Sequence, residues 1–222
     1  MNRSRTIFVV AVAIAILTMA FAVCAQAYPT CLNVIPTADV LVNGSIQLAY
    51  ESDGKNTPVD HDCTGYTFTQ IGIGGRVEAG VDFCDVTGET DKLFNAKYLL
   101  LGESIAVPAV AAGVMNVGND SDASYYLVGT KGFGKSRFHA GAQTQNGSSW
   151  GLFGMDFAAS KSVKLLFDWQ TGPGRGHTAG ISWQATPALG VTLYYLRNNS
   201  AALREDGDFV GLWAGYSLNL GW

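Results

Sequence analysis

The sequence has little charge and few long hydrophobic segments. Asp, Glu, Lys and Arg make up only 14% of its 222 residues, against about 25% in ordinary soluble domains. The formal net charge is −4, so the chain lacks the strongly basic character typical of nucleic-acid binding. Beyond the N-terminus no apolar run approaches the ~20 residues of a membrane-spanning helix. We therefore expect neither a nucleic-acid partner nor a helical membrane protein.

Cysteine and histidine are also scarce, with four and three residues respectively. Beyond the N-terminal segment only Cys31, Cys63 and Cys84 remain, and their spacing does not match a zinc site. We expect no metal and no cofactor. In an oxidising compartment two of these thiols are expected to pair. Cys31 with Cys63 is the favoured pair because both lie in polar, loop-like sequence, although the pairing among the three stays open.

The first residues have the features of a secretory signal peptide. Arg3 and Arg5 precede an apolar stretch from Ile7 to Val23, and Ala25-Gln26-Ala27 has the small-x-small pattern of a cleavage site. Export followed by a strand-rich domain predicts the bacterial outer membrane as the destination. The expected organisation is a signal peptide (1–27), an irregular lead-in (28–39) and a barrel domain (40–222).

The sequence is rich in alternation of period two. The stretch from Asp208 to Trp222 reads DFVGLWAGYSLNLGW, and every second residue counted back from Trp222 is apolar. Such alternation is typical of a strand whose two faces meet different environments. Similar segments recur from Val40 onward and predict about twelve strands, with ten as the alternative. The predicted fold is an all-β, antiparallel, up-and-down transmembrane β-barrel.

The polar face of these strands is predicted to line the barrel lumen. It is rich in glycine, as a narrow interior needs, and it carries charges of both signs. We expect these charges to pair, either as a salt-bridged plug or around a narrow, weakly selective channel. Trp213 is expected to fill part of the barrel near mid-height and to restrict the bore. The candidate lumen-lining residues are Arg76, Glu78, Asp82, Lys97, Arg137, His139, Asp156, Lys164, Asp168 and Trp213.

Aromatic residues recur near the ends of the predicted strands. A transmembrane barrel carries aromatic girdles at its two interfaces with the lipid headgroups. We interpret these residues as such girdles: Tyr66, Phe83, Phe133, Trp150, Trp169, Trp183 and Tyr194.

No pair of residues predicts catalysis. A lipid-acting barrel enzyme needs a Ser and a His close together on one face, whereas His177 and Ser182 fall on opposite faces of one predicted strand. His61 lies in a polar loop, and His139 is expected to point inward beside Arg137. We expect a passive pore or a structural envelope protein and not an enzyme. A lipid-acting enzyme and a soluble periplasmic barrel binding an apolar ligand stay open as alternatives.

The chain resembles bacterial outer-membrane β-barrel proteins, in particular small porin-like barrels. The resemblance lies in the signal peptide, in the alternation from Val40 onward and in the terminal YSLNLGW. In that class the terminal aromatic and alternating apolar residues form the signal that the barrel-assembly machinery recognises. The resemblance implies that machinery and outer-membrane lipid as partners. The matching residues are Tyr216, Leu218, Leu220 and Trp222, with Trp in place of the commoner Phe.

A weaker similarity concerns the first predicted strands. PTADVLVNGSIQLAY, followed by GGRVEAGVDF, is similar to the opening strands of barrels linked to exopolysaccharide secretion. Those chains are much longer, so the similarity implies no role for any individual residue.

Overall fold

The arrangement of the strands comes from a computed structural model that describes residues 30–55, 64–86, 89–118, 122–204 and 208–220. The side chains of residues 64, 84–86 and 89–91 are not among those described. The expected signal peptide lies outside the described residues, as do His61, Cys63 and Trp222.

Twelve strands follow one another along the chain, as the alternation predicts. They are β1 (Ser45–Gly54), β2 (Thr64–Ile73), β3 (Val77–Val86), β4 (Glu89–Leu101), β5 (Ala109–Val117), β6 (Ser124–Phe133), β7 (Ser136–Gln145), β8 (Ser148–Ala158), β9 (Val163–Gln170), β10 (Gly176–Gln184), β11 (Leu189–Asn198) and β12 (Phe209–Asn219). One turn of 3₁₀ helix (Ala201–Leu203) precedes β12. None of the described helical residues belongs to a helix long and apolar enough to cross a membrane.

The strands form one closed antiparallel barrel. Each strand pairs with its neighbours in sequence, and β12 pairs with β1 from Ser45 opposite Asn219 to Gly54 opposite Val210. Closure leaves no strand with an unpaired edge, which is the main liability of an open sheet. The predicted all-β, up-and-down barrel of twelve strands is confirmed.

Proline and glycine set two of the strand boundaries. Strand β5 begins at Ala109, directly after Pro108, because proline has no N–H to donate to the ladder. The alternation begins at Val40, but Val40 and Val42 precede the turn signal Asn43-Gly44, and the chain turns through Gly44, whose φ is 72°. That left-handed conformation suits glycine, and β1 starts one residue later.

Burial alternates along the strands in the sense expected for a barrel in lipid. In β6, Tyr125 and Leu127 are exposed while Tyr126, Val128 and Thr130 are buried. The buried set of the whole barrel contains many charged and polar side chains. An apolar exterior around a polar interior reverses the arrangement of a soluble sandwich. The large outward side chains include Phe94, Tyr98, Leu100, Phe138, Phe153, Leu165, Phe167, Ile181, Leu193 and Leu218.

The expected aromatic girdles are only partly on the outside. Phe133, Trp169 and Trp183 are exposed on the outer surface. Trp150 and Tyr194 instead face the lumen, where both are buried in an apolar cluster. Position near a strand end therefore does not distinguish a girdle residue from a lumen residue, because the face is set by the register of the strand.

The lead-in occupies the interior of the barrel. We call residues 30–44 the plug, because they lie against inward-facing side chains before the chain enters β1. We call the end where β1 begins and β12 finishes the near end, and the opposite end the far end. The plug enters at the near end and reaches residues close to the far end, such as Gln170, the last residue of β9.

Candidate functional site

The plug folds back on itself as a small irregular hairpin. The Thr37 N–H donates to the Thr30 carbonyl and the Leu32 N–H donates to the Ile35 carbonyl, both at 3.0 Å. Cys31 and Pro36 form an isolated bridge between them. These few bonds satisfy only part of the polar backbone. Because buried N–H and C=O groups need partners, the remaining groups must bond to the barrel wall.

A buried ion pair on neighbouring strands holds the start and the base of the plug. The Glu78 carboxylate on β3 accepts hydrogen bonds from the N–H groups of Thr30 at 2.6 Å and Leu41 at 2.9 Å. Lys97 on β4 lies 3.6 Å from Glu78, and both side chains are fully buried. The Lys97 ammonium also donates to the carbonyls of Thr30 at 3.1 Å and Thr37 at 3.4 Å. The ion pair is therefore completed by plug backbone groups.

A second carboxylate holds the tip of the plug. Asp168 on β9 accepts hydrogen bonds from the N–H groups of Asn33 at 2.9 Å and Val34 at 3.0 Å. Thr178 on β10 donates to the same carboxylate and accepts a bond of 2.8 Å from the Asn33 amide. No Lys, Arg or His pairs with Asp168 among the described residues. Backbone dipoles of the plug take the place of a counter-ion.

Arg137 clamps the plug from β7. Its guanidinium makes a bidentate pair with Asp39, with nitrogen–oxygen distances of 2.7 and 2.8 Å. Burial by itself raises the pKa of Asp39, but the hydrogen bonds and charge of Arg137 outweigh burial and hold that pKa below its ordinary value. Asp39 therefore stays ionised in the plugged barrel at pH values where a solvated aspartate is already partly protonated.

A buried chain of hydrogen bonds fixes the plug at Ala38. The Ala38 N–H donates to Thr130 Oγ1 at 2.9 Å, and Thr130 lies 2.9 Å from Nδ1 of His139. Nε2 of His139 lies 3.1 Å from Asp156, whose other oxygen is 3.7 Å from the Lys164 ammonium. The directions are consistent if Thr130 donates to Nδ1 and His139 carries its proton on Nε2.

Inward-facing glycines make room for the plug. A Cβ atom at Gly154 on β8 would lie 2.8 Å from Ile35 Cδ1 and closer still to Leu32. A Cβ atom at Gly180 on β10 would lie 2.5 Å from the Asn33 side-chain oxygen. The inward-facing glycines expected from the sequence therefore make room for the plug inside the narrow barrel.

An apolar cluster seals the lumen toward the far end. Val34 and Ile35 of the plug pack with Trp150, Leu152 and Tyr194 of the wall. Burying these two plug side chains contributes roughly 3–5 kcal/mol. Leu32, Leu196 and Phe209 pack around the same cluster. The guanidinium of Arg175, in the loop between β9 and β10, stacks on the Trp150 ring at 3.7 Å from its centre.

A cavity of about 240 Å³ remains beside the plug. Its lining runs from near-end residues such as Gln184 and Ser217 to Glu51 and Tyr194, which lie beyond the middle of their strands. We call this cavity the half-channel, because its lining extends from the near end to Tyr194, which belongs to the apolar cluster around the tip of the plug. Trp213 lines the half-channel.

Two carboxylates share one phenol at the inner end of the half-channel. The Tyr194 hydroxyl contacts Glu51 and lies 2.9 Å from Asp53. A phenol has a single proton to donate, so it can serve only one carboxylate at a time. In the described part of the chain, no basic side chain lies within salt-bridge distance of Glu51 or Asp53.

Most of the predicted lumen residues face the lumen, and two of them behave differently from expectation. Arg76 lies in the exposed turn between β2 and β3 and contacts the Leu99 carbonyl at 3.5 Å. Arg76 would face the same way as Glu78 in a continuous strand, but the turn places it beyond the end of the barrel. Trp213 lines the lumen but lies over Gly215, where a Cβ would meet its ring. The plug fills the space that Trp213 was expected to fill.

The remaining predicted residues take these positions. Asp82 is buried and accepts hydrogen bonds from Gln70 and Asn95 at 3.4 and 3.2 Å. Lys164 is half-exposed, and it lines the near part of the half-channel. The residues of the expected assembly signal that the structure describes, Tyr216, Leu218 and Leu220, are exposed.

Cys31 lies in the plug with a free thiol. The favoured partner, Cys63, lies outside the described residues. Burial, reinforced by the charges of Glu51 and Asp168, raises the pKa of the Cys31 thiol. The thiolate, the reactive form of cysteine, is therefore disfavoured while the plug is seated.

Comparison with known proteins gives a match in fold. The crystal structure of the outer membrane protein Omp33 of Acinetobacter baumannii is similar with a TM-score of 0.52 at 10% sequence identity. The match covers 79% of this chain and 99% of that one. The chain has the fold of a bacterial outer-membrane β-barrel.

The other comparisons add no residue-level information. Ail, the attachment invasion locus protein of Yersinia pestis, is 14% identical over 80% of this chain and 100% of its own. Its TM-score of 0.21 is too low to support an argument. No family model matches the chain, and no curated protein matches it either.

A side chain added beneath the plug should dislodge it. We expect Gly154→Val to crowd Leu32 and Ile35 and to speed maleimide labelling of Cys31 by about tenfold or more, because a solvated thiol regains its ordinary pKa. The measurement uses a chain whose sole cysteine is Cys31, at pH 7.5. Gly129→Val is the matched control, since a Cβ there meets nothing closer than 3.6 Å. Equal labelling rates in the two variants would contradict the plug's position.

Proposed function

We propose that this protein is an outer-membrane β-barrel that acts as a normally closed pore, with the plug as its gate. The observation that carries the proposal is the binding of one irregular segment to six strands through matched polar contacts. The wall residues that make them are Glu78 on β3, Lys97 on β4, Thr130 on β6, Arg137 on β7, Asp168 on β9 and Thr178 on β10.

The outer surface supports a location in lipid. Large apolar side chains are exposed around the strands, as in β6 and β9. A soluble barrel would leave them in water, whereas lipid accepts them without cost. The last strand supports assembly by the barrel-assembly machinery. Tyr216 belongs to the expected assembly signal, is exposed on the outer surface and lies opposite Leu48 on the closing strand β1. Lipid and that machinery are accordingly the proposed partners.

The contacts of the plug suit a gate better than a permanent filling. A polar contact of the plug can be replaced by a contact with water. Each neutral contact therefore contributes only about 0.5–1.5 kcal/mol net, and each contact with a charged group about 1.5–3 kcal/mol. The larger apolar side chains of the plug are buried at the tip, at Val34 and Ile35, and Ala38 adds a small contact to a second cluster with Ala111 and Val128. The half-channel already removes part of the obstruction on one side. Opening therefore requires the loss of these few apolar contacts and an exchange of hydrogen bonds.

The proposal gives no catalytic role to the barrel. Thr130, His139 and Asp156 are ordered like a nucleophile, a base and an orienting acid, but Thr130 is fully buried beneath Ala38. In this arrangement the chain of hydrogen bonds holds the plug. His177 and Ser182 belong to opposite faces of β10, five residues apart.

Removing the plug should open the pore. In planar bilayers we expect rare, brief openings of the full-length protein and sustained conductance from a variant lacking residues 28–40. Leu41 to Gly44 are retained because the carbonyls of Leu41 and Val42 pack on Gly72. A synthetic peptide of residues 28–44 should close the variant when added at the near-end side, and a scrambled peptide should not.

Two results would contradict this expectation. A folded variant without the plug, shown by heat-modifiable gel migration, that stays closed in every salt and voltage tested would indicate a structural barrel. Steady conductance of the full-length protein equal to that of the variant would show that the plug does not close the lumen.

Acid should loosen the gate through Asp39. Because its pKa in the plugged state lies below the ordinary value of about 4, its contribution is complete above pH ~4 and is lost as the pH falls further. We expect the open probability of the full-length protein to be flat from pH 7 to 5 and to rise below pH ~4. Asp39→Asn should raise it about fivefold at pH 7, the equivalent of ~1 kcal/mol for a half-exposed bidentate pair. An unchanged open probability in Asp39→Asn would remove Asp39 from the gate.

A further inference from the structure

The wall of the lumen carries more acidic than basic side chains, and the plug conceals the difference. The inward-facing strand residues that the structure describes include six carboxylates and three basic groups. They are Glu51, Asp53, Glu78, Asp82, Asp156 and Asp168 against Lys97, Arg137 and Lys164. With His139 counted as neutral and every carboxylate as ionised, the formal excess is three negative charges.

The basic groups of the wall already have acidic partners. Lys97 pairs with Glu78, and Lys164 lies 3.7 Å from Asp156. Arg137 pairs with Asp39, which belongs to the plug and leaves with it. Among the described strand residues, the open lumen therefore keeps only Arg137 to offset the carboxylates that have no basic partner.

Backbone groups of the plug compensate part of the acidic excess while the gate is closed. Asp168 is stabilised by the N–H groups of Asn33 and Val34, and Glu78 by those of Thr30 and Leu41. When the plug withdraws, both carboxylates lose these N–H donors. Glu78 keeps Lys97 as its partner, whereas water and mobile cations must then neutralise Asp168.

The half-channel shows the same imbalance with the plug in place. Glu51 and Asp53 share the single proton of Tyr194, without a basic partner in the described part of the chain. Glu51 lines the half-channel directly. Clefts that carry one sign of charge between low-dielectric walls concentrate the opposite ion, and rings of acidic side chains make pores cation-selective.

We propose that the lumen selects cations, so that small hydrated cations are the solutes that pass when the plug withdraws. Glu51 and Asp168 are the selecting residues, one in the half-channel and one at the tip of the seated plug. The inference rests on the proposed function, because it needs a pore that opens. It deepens that function by naming the charge class of the solute.

The test is the reversal potential of the full-length chain in a KCl gradient across a planar bilayer. The plug is dislodged by Gly154→Val with Gly180→Val, which fill the space of Leu32, Ile35 and Asn33. We expect a potassium permeability several-fold above that of chloride. If this double variant does not insert, the same measurement is made on the rare openings of the Gly154→Val single variant.

Charge removal on the wall identifies the selecting residues. In the dislodged background we expect Glu51→Gln with Asp168→Asn to bring the permeability ratio close to one. Asp122→Asn is the matched control, since Asp122 is an exposed carboxylate at the far-end turn that bonds to Asn146. It should leave the ratio unchanged.

The outcomes separate the two proposals. Conductance without ion preference, or with preference for chloride, overturns the cation selectivity and leaves the gate intact. A preference for potassium that survives Glu51→Gln with Asp168→Asn overturns the assignment of these residues. Absence of conductance from dislodged, folded barrels overturns the gate itself, and the selectivity falls with it.

Discussion

Every polar group enclosed by a barrel must find its partner inside, because the strands use up their own backbone groups and the surroundings offer none. This constraint explains why the plug and the wall fit each other. An irregular segment brings unsatisfied N–H and C=O groups, and the wall brings buried charges. Asp168 receives two plug N–H groups and Lys97 donates to two plug carbonyls. The plug and the wall therefore satisfy each other's buried polar groups.

The alternation of the sequence was enough to predict the barrel, because a period of two relates directly to the two faces of a strand. It gave the number of strands and the inward position of residues such as Glu78 and Asp168. The alternation placed Arg76 in the lumen because a period-two pattern can continue past the end of a strand. The hydrogen-bonded ladder of β3 begins only at Val77, so Arg76 lies in the turn. The alternation could not show that Tyr194 faces inward, because the sequence did not fix which face of β11 meets the lumen.

The plug could not be predicted, because nothing local distinguishes it from a linker. Residues 30–39 have no periodicity, and their bonds are to residues up to 145 positions away, as in the contact of Asn33 with Thr178. The contact of Thr130 with Ala38 and that of Glu51 with Tyr194 could not be predicted either, because the partners are distant in the sequence. The signals that did exist were indirect. Inward glycines such as Gly154 indicated a crowded interior, whereas the four acidic and four basic residues predicted for the lumen could all have paired with one another.

The two ends of the lumen are closed to different degrees, and this limits how the gate can work. The half-channel reaches Glu51 from the near end without any movement of the plug, whereas the apolar cluster around Ile35 and Tyr194 blocks the far end. Withdrawal of the plug must therefore free the tip of the hairpin from this cluster before a continuous path can form. Once Leu32 to Ile35 have left, the half-channel joins the far end, and water replaces the plug at Glu78 and Arg137. Loosening the polar contacts at the base is thus not sufficient to open the lumen while Val34 and Ile35 stay buried at the tip.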